Sequence, residues 1–147
     1  MWDVWRREDV PKLRAFLLRH LHEFSHGGQK LSPSKVQDVI FDQTFMLTDR
    51  HRAMLLQEEG VQAWHVEQHE YEAIYIPAGC PHQVRNLRPC IKVAVDFVAP
   101  ESMVHCVRMI DDMRVVAKDT LLADLALLPL HTMPPPYDRC VLVTRCW

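Results

Sequence analysis

Residues 71–86, Tyr-Glu-Ala-Ile-Tyr-Ile-Pro-Ala-Gly-Cys-Pro-His-Gln-Val-Arg-Asn, limit what this chain can fold into more than any other stretch. An apolar run over 73–76 enters a Pro-Ala-Gly-Cys-Pro corner, and a polar strand leaves it with His82, Val84 and Asn86 at alternate positions. Alternation puts side chains i, i+2 and i+4 on one face of a strand, so His82 and Asn86 are expected to face the same way, with Val84 between them. Pro77 and Pro81 bracket Gly79; proline fixes φ, and glycine takes dihedrals that other residues avoid. A corner this stiff holds the first side chain of the outgoing strand in a defined place, which suits a metal ligand.

Around this corner the sequence alternates short strands with helices. Trp2 to Trp5 fits a short strand end. Asp9 is placed to cap a helix with Pro11 in its first turn, where a missing N–H does no harm. Val10, Leu13, Phe16, Leu17, Leu21 and Phe24 recur at helical spacing and predict an amphipathic helix to about Phe24. Lys12, Arg14 and Arg19 lie on its other face, which reads as solvated rather than as a histone or DNA patch. Gly27, Gly28 and Pro33 make 25–34 a loop. Residues 36–47 are rich in β-formers and predict one or two short strands around Asp42-Gln43. Thr48 is placed to cap a second helix that Gly60 stops, with Met54, Leu55 and Leu56 as its apolar side. Residues 61–68 and 90–98 read as strands, the latter alternating Ile91, Val93, Val95 and Phe97 against Lys92, Ala94 and Asp96. Pro100 opens a third helix whose buried stripe is Met103, Val107, Ile110 and Met113. Beyond about Val115 a short helix over 120–128 is the one recognisable pattern, before Pro134-Pro135-Pro136 and the ending Cys-Val-Leu-Val-Thr-Arg-Cys-Trp.

With 147 residues and 48% hydrophobic content, the chain is long enough for one domain with a real core. A formal charge of −2 gives no global pull toward nucleic acid or an anionic membrane. No apolar run approaches the roughly 18 residues that span a bilayer, and the opening Met-Trp-Asp-Val-Trp-Arg-Arg lacks the apolar core of a signal peptide. The five cysteines are odd in number and include no Cys-x-x-Cys pair. That argues against a disulfide framework or zinc knuckle and for a reducing compartment.

Pro-x-Gly-x-x-His-x-x-x-Asn over 77–86 resembles the second metal-binding motif of the cupin superfamily, which carries a histidine ligand at the position of His82. The longer string over 76–87, followed by Cys-Ile-Lys-Val-Ala-Val-Asp-Phe-Val over 90–98, resembles the C-terminal half of a JmjC domain. The similarity is to histone demethylases acting on lysine 9 of the histone tail, in their plant form. Asp42-Gln43, Glu59-Gly60-Val61 and the opening over 2–11 fit the same family in the same order, so the resemblance runs from about Trp2 to Arg114. It implies a mainly β fold with flanking helices: the C-terminal half of a double-stranded β-helix (jelly roll) over 1–114, then a divergent tail over 115–147. It also implies Fe(II) and 2-oxoglutarate as cofactors, a methylated histone tail as partner and the nucleus as location. In the family, dioxygen activated at the iron hydroxylates an N-methyl group, which leaves as formaldehyde.

By that resemblance His82 is the metal ligand, one member of a two-histidine, one-carboxylate set that holds Fe(II) on one face. Asn86 and Asp96 are expected to line the pocket mouth. The family's His-x-Asp/Glu pair and its 2-oxoglutarate lysine lie N-terminal to the Trp-Asp-Val-Trp segment with which this chain opens. A truncated, inactive form that does not bind iron or 2-oxoglutarate tightly by itself is therefore expected. Two rival readings are a non-catalytic module binding chromatin proteins and a small cupin-like metalloprotein using His65, Glu67 and His82. The family's apolar residues at the positions of His65 and Glu67 count against the second. Lys92 is read as a surface residue and Cys80 as a small buried packing residue. Tyr71 replaces the family's turn glycine; at φ > 0 an aromatic residue there costs about 1 kcal/mol or more.

Overall fold

A computed structural model of the chain describes residues 1–94 and 99–116. They belong to two compact units: Met1–Ile76 with Cys80–Arg85, and Pro77–Gly79 with the residues from Asn86 onward. Antiparallel strands and helices share the described residues, which are partly β rather than mainly β.

The stretch read as a short strand end, Trp2 to Trp5, holds the central strand of a three-stranded sheet in the first unit. β1 (Trp2–Val4) pairs antiparallel with β4 (Trp64–Val66) on one side and β5 (His82–Val84) on the other, in the order β4-β1-β5. Trp2 lies opposite Val66 and Val84, Asp3 opposite His65 and Gln83, and Val4 opposite Trp64 and His82. Residues directly opposite each other share a face. Trp2, Val4, His82 and Val84 therefore stand on one face, and Asp3, His65 and Gln83 on the other. The pairing continues past the strand ends, where Trp5 N–H donates to the Pro81 carbonyl and Arg85 N–H to the Met1 carbonyl, both at 2.9 Å. Trp2, Val4, Cys80 and Val84 form a small buried cluster with Ile74 and Ile76 against it, which accords with the packing role expected of Cys80.

The larger core lies among the helices. α1 (Val10–Arg19) is entered through a 3-10 turn at Arg7–Asp9 and left through another at Leu21–Glu23. Leu13, Phe16, Leu17, Leu21 and Phe24 are buried with Trp5, Leu31, Val39, Leu47, Leu55 and Val61, but the helix ends at Arg19, short of the expected Phe24, so Leu21 and Phe24 reach the core from the turn that follows it. Asp9 occupies the N-cap position but makes no side-chain cap bond, contrary to expectation. Its own N–H is already turned inward to the Arg6 carbonyl by the preceding 3-10 turn. α2 (Asp49–Glu59) has both expected ends. The Thr48 hydroxyl accepts from the His51 N–H, the His51 ring accepts from the Thr48 N–H, and Gly60 closes the helix at φ 66. Of its three consecutive apolar residues Leu55 is fully buried, Met54 is partly buried and Leu56 is half exposed. Three successive helical residues sweep about 200°, too wide for one face.

Two loops differ from expectation. Residues 25–34 hold a minute hairpin, β2 (Ser25–His26) against β3 (Gln29–Lys30), turned by Gly27 and Gly28 at positive φ. Over 36–47 no strand forms. Asp38 accepts from the N–H groups of Ile40 and Phe41, and Asp42 accepts from that of Gln37, so local carboxylates take the donors a ladder would use.

In the second unit α3 (Met103–Val116) follows a 3-10 turn at Pro100–Ser102. Cys106 is buried and Val107 exposed, so the stripe runs through Met103, Cys106, Ile110 and Met113, not through Val107. Residues 90–94 are not a strand, and Ile91 and Val93 are almost wholly exposed. Alternation alone does not make a strand: the backbone groups must also enter a ladder with a neighbouring strand. Val95, Asp96 and Phe97 of that expected strand, and the expected helix over 120–128, lie outside the described residues.

Tyr71 has φ 67 and a fully exposed ring, so it occupies the glycine-like turn conformation without compensating burial. Tyr71→Gly is expected to raise stability by about 1 kcal/mol, partly offset by the extra freedom glycine gives the unfolded chain. A higher urea midpoint at unchanged slope is the sign to look for; a lower midpoint would mean that the tyrosine ring stabilises the turn.

Candidate functional site

His82 opens β5 half-buried, its ring centroid 5.9 Å from that of Trp2 with the planes tilted by 33°. Its Nδ1 lies 3.2 Å from the Cys80 carbonyl oxygen. A carbonyl only accepts, so Nδ1 carries the proton and Nε2 keeps its lone pair. Burial pushes the imidazole below its ordinary pKa, against the opposing pull of the Cys80 carbonyl. A neutral ring with one nitrogen oriented by a carbonyl and the other basic is the form in which histidine ligates a metal. Trp2 is itself fixed: its indole N–H donates to Gln68 Oε1 at 2.9 Å, and Gln68 Nε2 donates to the Glu72 carbonyl at 2.8 Å.

The opposite face of the sheet carries a buried polar knot. Asp3 is 4% exposed and accepts from His65 Nδ1 at 2.6 Å, from Gln83 Nε2 at 2.7 Å and from the Arg52 guanidinium. Burial alone would raise its pKa, but the hydrogen bonds from His65, Gln83 and Arg52 together outweigh that and hold it below the ordinary carboxylate value. Gln83 also exchanges two bonds of 2.8 Å with the backbone of Leu47, its Nε2 donating to the carbonyl and its Oε1 accepting the N–H. None of Asp3, Arg52 and Gln83 was singled out in the sequence. The usable signal was an aspartate between Trp2 and Val4 in an apolar strand, since a carboxylate there must find partners.

Residues 2–97 match the family model described as JmjC domain, hydroxylase. The chain belongs to the JmjC domain family. It is 51% identical over 119 residues to lysine-specific demethylase JMJ27 of Arabidopsis thaliana and 47% identical over 119 residues to lysine-specific demethylase JMJ26 of the same plant. Each of these alignments covers 81% of this chain and 14% of the relative, so the chain spans a small part of the length of the proteins it matches. A further Arabidopsis relative, 40% identical over 80% of this chain and 12% of its own length, bears the name E3 ubiquitin-protein ligase JMJ24.

His82 lies in the first unit; Asn86 is exposed and falls in the second. Asp96 is outside the described residues. The rival set of His65, Glu67 and His82 does not assemble. β1 stands between the strands that carry His65 and His82, and the register turns His65 to the Asp3 face and His82 to the Trp2 face. Among the described residues no three His, Cys, Asp or Glu side chains converge as a metal set. His82 thus has the donor chemistry of one iron ligand, and the described residues do not complete a triad around it.

The basic face of α1 is engaged within the protein. Arg14 pairs with Asp38, Arg19 with Glu58 and Glu59, and Lys12 donates to the Glu59 carbonyl. His20 bridges Glu23 and Glu58 at 3.0 Å each, while His51 lies 3.6 Å from Glu23 with its ring against Phe24. The bond to Glu58 is the main cause that raises the His20 pKa, with burial opposing; burial lowers that of His51. The signs oppose. The contribution of His20 is fully present below its unfolded value of about 6.5 and is lost as pH rises through the raised folded value. That of His51 is present above about 6.5 and is lost as pH falls through the lowered one. His20→Gln is therefore expected to lower the urea midpoint at about pH 6 and to have little effect at about pH 9. An effect that grows with pH would contradict the assignment.

Proposed function

We propose that this chain supplies the C-terminal half of a JmjC histone lysine demethylase domain, and that His82 is one of three protein ligands to its Fe(II). The observation that carries the reading is the His82 ring, with Nδ1 directed at the Cys80 carbonyl and Nε2 basic, inside a segment that matches the JmjC family. On this reading the β4-β1-β5 sheet is a portion of a double-stranded β-helix. The JmjC part covers 1–114, and 115–147 is a divergent tail. Fe(II) and 2-oxoglutarate, when bound, supply the oxidation that removes an N-methyl group as formaldehyde. The chain's own residues do the positioning: His82 presents Nε2, and Trp2 walls one side of its ring. The partner is a histone tail with a methylated lysine, lysine 9 by resemblance, and the compartment is the nucleus. The names of the Arabidopsis relatives, lysine-specific demethylases, support a methylated lysine as the substrate.

One ligand does not hold iron firmly, because Fe(II) is low in the affinity series and depends on assembled geometry. The 147-residue chain alone is therefore expected to be inactive, with formaldehyde release from a methylated histone peptide at background. A polypeptide joining it behind the preceding JmjC segment of JMJ27, given iron, 2-oxoglutarate and ascorbate, is expected to release formaldehyde. A folded joined protein without turnover would overturn the demethylase reading. It would favour the alternative, a non-catalytic chromatin-binding module.

A further inference from the structure

We propose that Asp3 and Gln83 are positioning residues for His82: from the far face of the sheet they fix the register that directs its ring to the Trp2 side. The functional meaning rests on the reading of His82 as a metal ligand; the geometry does not. β5 has three residues, and its pairing with β1 extends by one backbone bond past each end, so few ladder bonds hold it. A slip of one residue turns every side chain of a strand to the opposite face. It would send His82 to the Asp3 side and bring Gln83 or Pro81 to the place beside Trp2.

The Gln83 amide opposes that slip. Its side chain makes three hydrogen bonds between 2.7 and 2.8 Å: to Asp3 Oδ2, to the Leu47 carbonyl and from the Leu47 N–H. They are buried, so breaking them without replacement leaves unpaired polar groups away from water. Moving Gln83 off the Asp3 row forfeits all three. Asp3 is in turn held by His65 on β4 and Arg52 on α2, so the reference point is tied to two elements besides β5. Neither Asp3 nor Gln83 shares a face with His82, and their effect on it passes through the β5 backbone.

The test uses the full metal-free chain, with nuclear Overhauser contacts between the Trp2 and His82 rings as the readout. Gln83→Leu keeps the volume and removes the amide; Asp3→Asn is the milder change and serves if Gln83→Leu does not fold. Arg14→Gln removes the pairing with Asp38, away from the sheet, and controls for general destabilisation. The contacts are expected to be lost in Gln83→Leu and weakened in Asp3→Asn, with the α1 and α2 amide resonances still in place, and to persist in Arg14→Gln. Wild-type contacts in both sheet variants, or equal loss in Arg14→Gln, would overturn the proposal. No metal or substrate enters this readout, so it can succeed where the demethylation test fails, and the reverse.

Discussion

In the joined JmjC domain, His82→Ala is expected to bring formaldehyde release down to background, a loss of more than about a hundredfold. Replacing a residue that merely orients a metal ligand typically costs about 10–100-fold, and removing the ligand itself should cost more. Alanine leaves a half-buried hole beside Trp2 and no donor in its place. Folding should survive, because the Trp2, Val4, Cys80 and Val84 cluster does not depend on the ring. His65→Ala supplies the contrast. If His65 belonged to the metal set, it would be as damaging as His82→Ala; since it faces Asp3 instead, its cost should be in stability, with turnover largely kept. Equal loss of turnover in the two variants would restore the rival triad, and full turnover in His82→Ala would end the ligand assignment.

What was legible in the sequence is what local chemistry decides. Thr48 and Gly60 mark the ends of α2 because a cap needs only residues within one turn. The α1 stripe was legible because its partners need only be apolar. Tyr71 at φ 67 was legible as the occupant of a position that asks for glycine. Non-local pairing was not. Nothing near Trp2–Val4 says that its neighbours are Trp64–Val66 and His82–Val84, so a central strand looked like an end. Residues 90–94 alternate well yet form no strand, whereas β4 forms with all three side chains exposed. Over 36–47 the β-forming residues lost to Asp38 and Asp42, whose side chains offered nearer acceptors.

The same limit hid the polar knot. Residues 3, 52, 65 and 83 are far apart in sequence and of ordinary types; the antiparallel register brings His65 and Gln83 to the Asp3 carboxylate, and α2 brings Arg52. Each half of the candidate site was thus legible to a different degree. His82 stands in a motif with its own corner, while its support is distributed over four elements.

Asp3→Ala should accordingly be the costliest change in the sheet, destabilising by about 3 kcal/mol. The loss is less that of an attraction than of an acceptor. The Arg52 guanidinium, the His65 Nδ1–H and one Gln83 N–H are left facing a gap, and two of the three donors lie at least partly away from water. The lower end of the usual range for breaking a buried pair applies, since Arg52 keeps Asp49 and remains partly solvated. The pH dependence identifies the cause. The folded pKa of Asp3 is lowered, so its contribution is present above the ordinary carboxylate value of 3.8 and is lost as pH falls through the folded value. The gap between wild type and Asp3→Ala should be widest near neutral pH and should narrow as acid protonates Asp3 in the wild type. Asp3→Asn, which keeps the shape and one acceptor oxygen, should fall between them. Urea midpoints for the three proteins from about pH 3 to pH 7 decide it. A gap constant across that range would attribute the loss to the cavity and not to the charged acceptor.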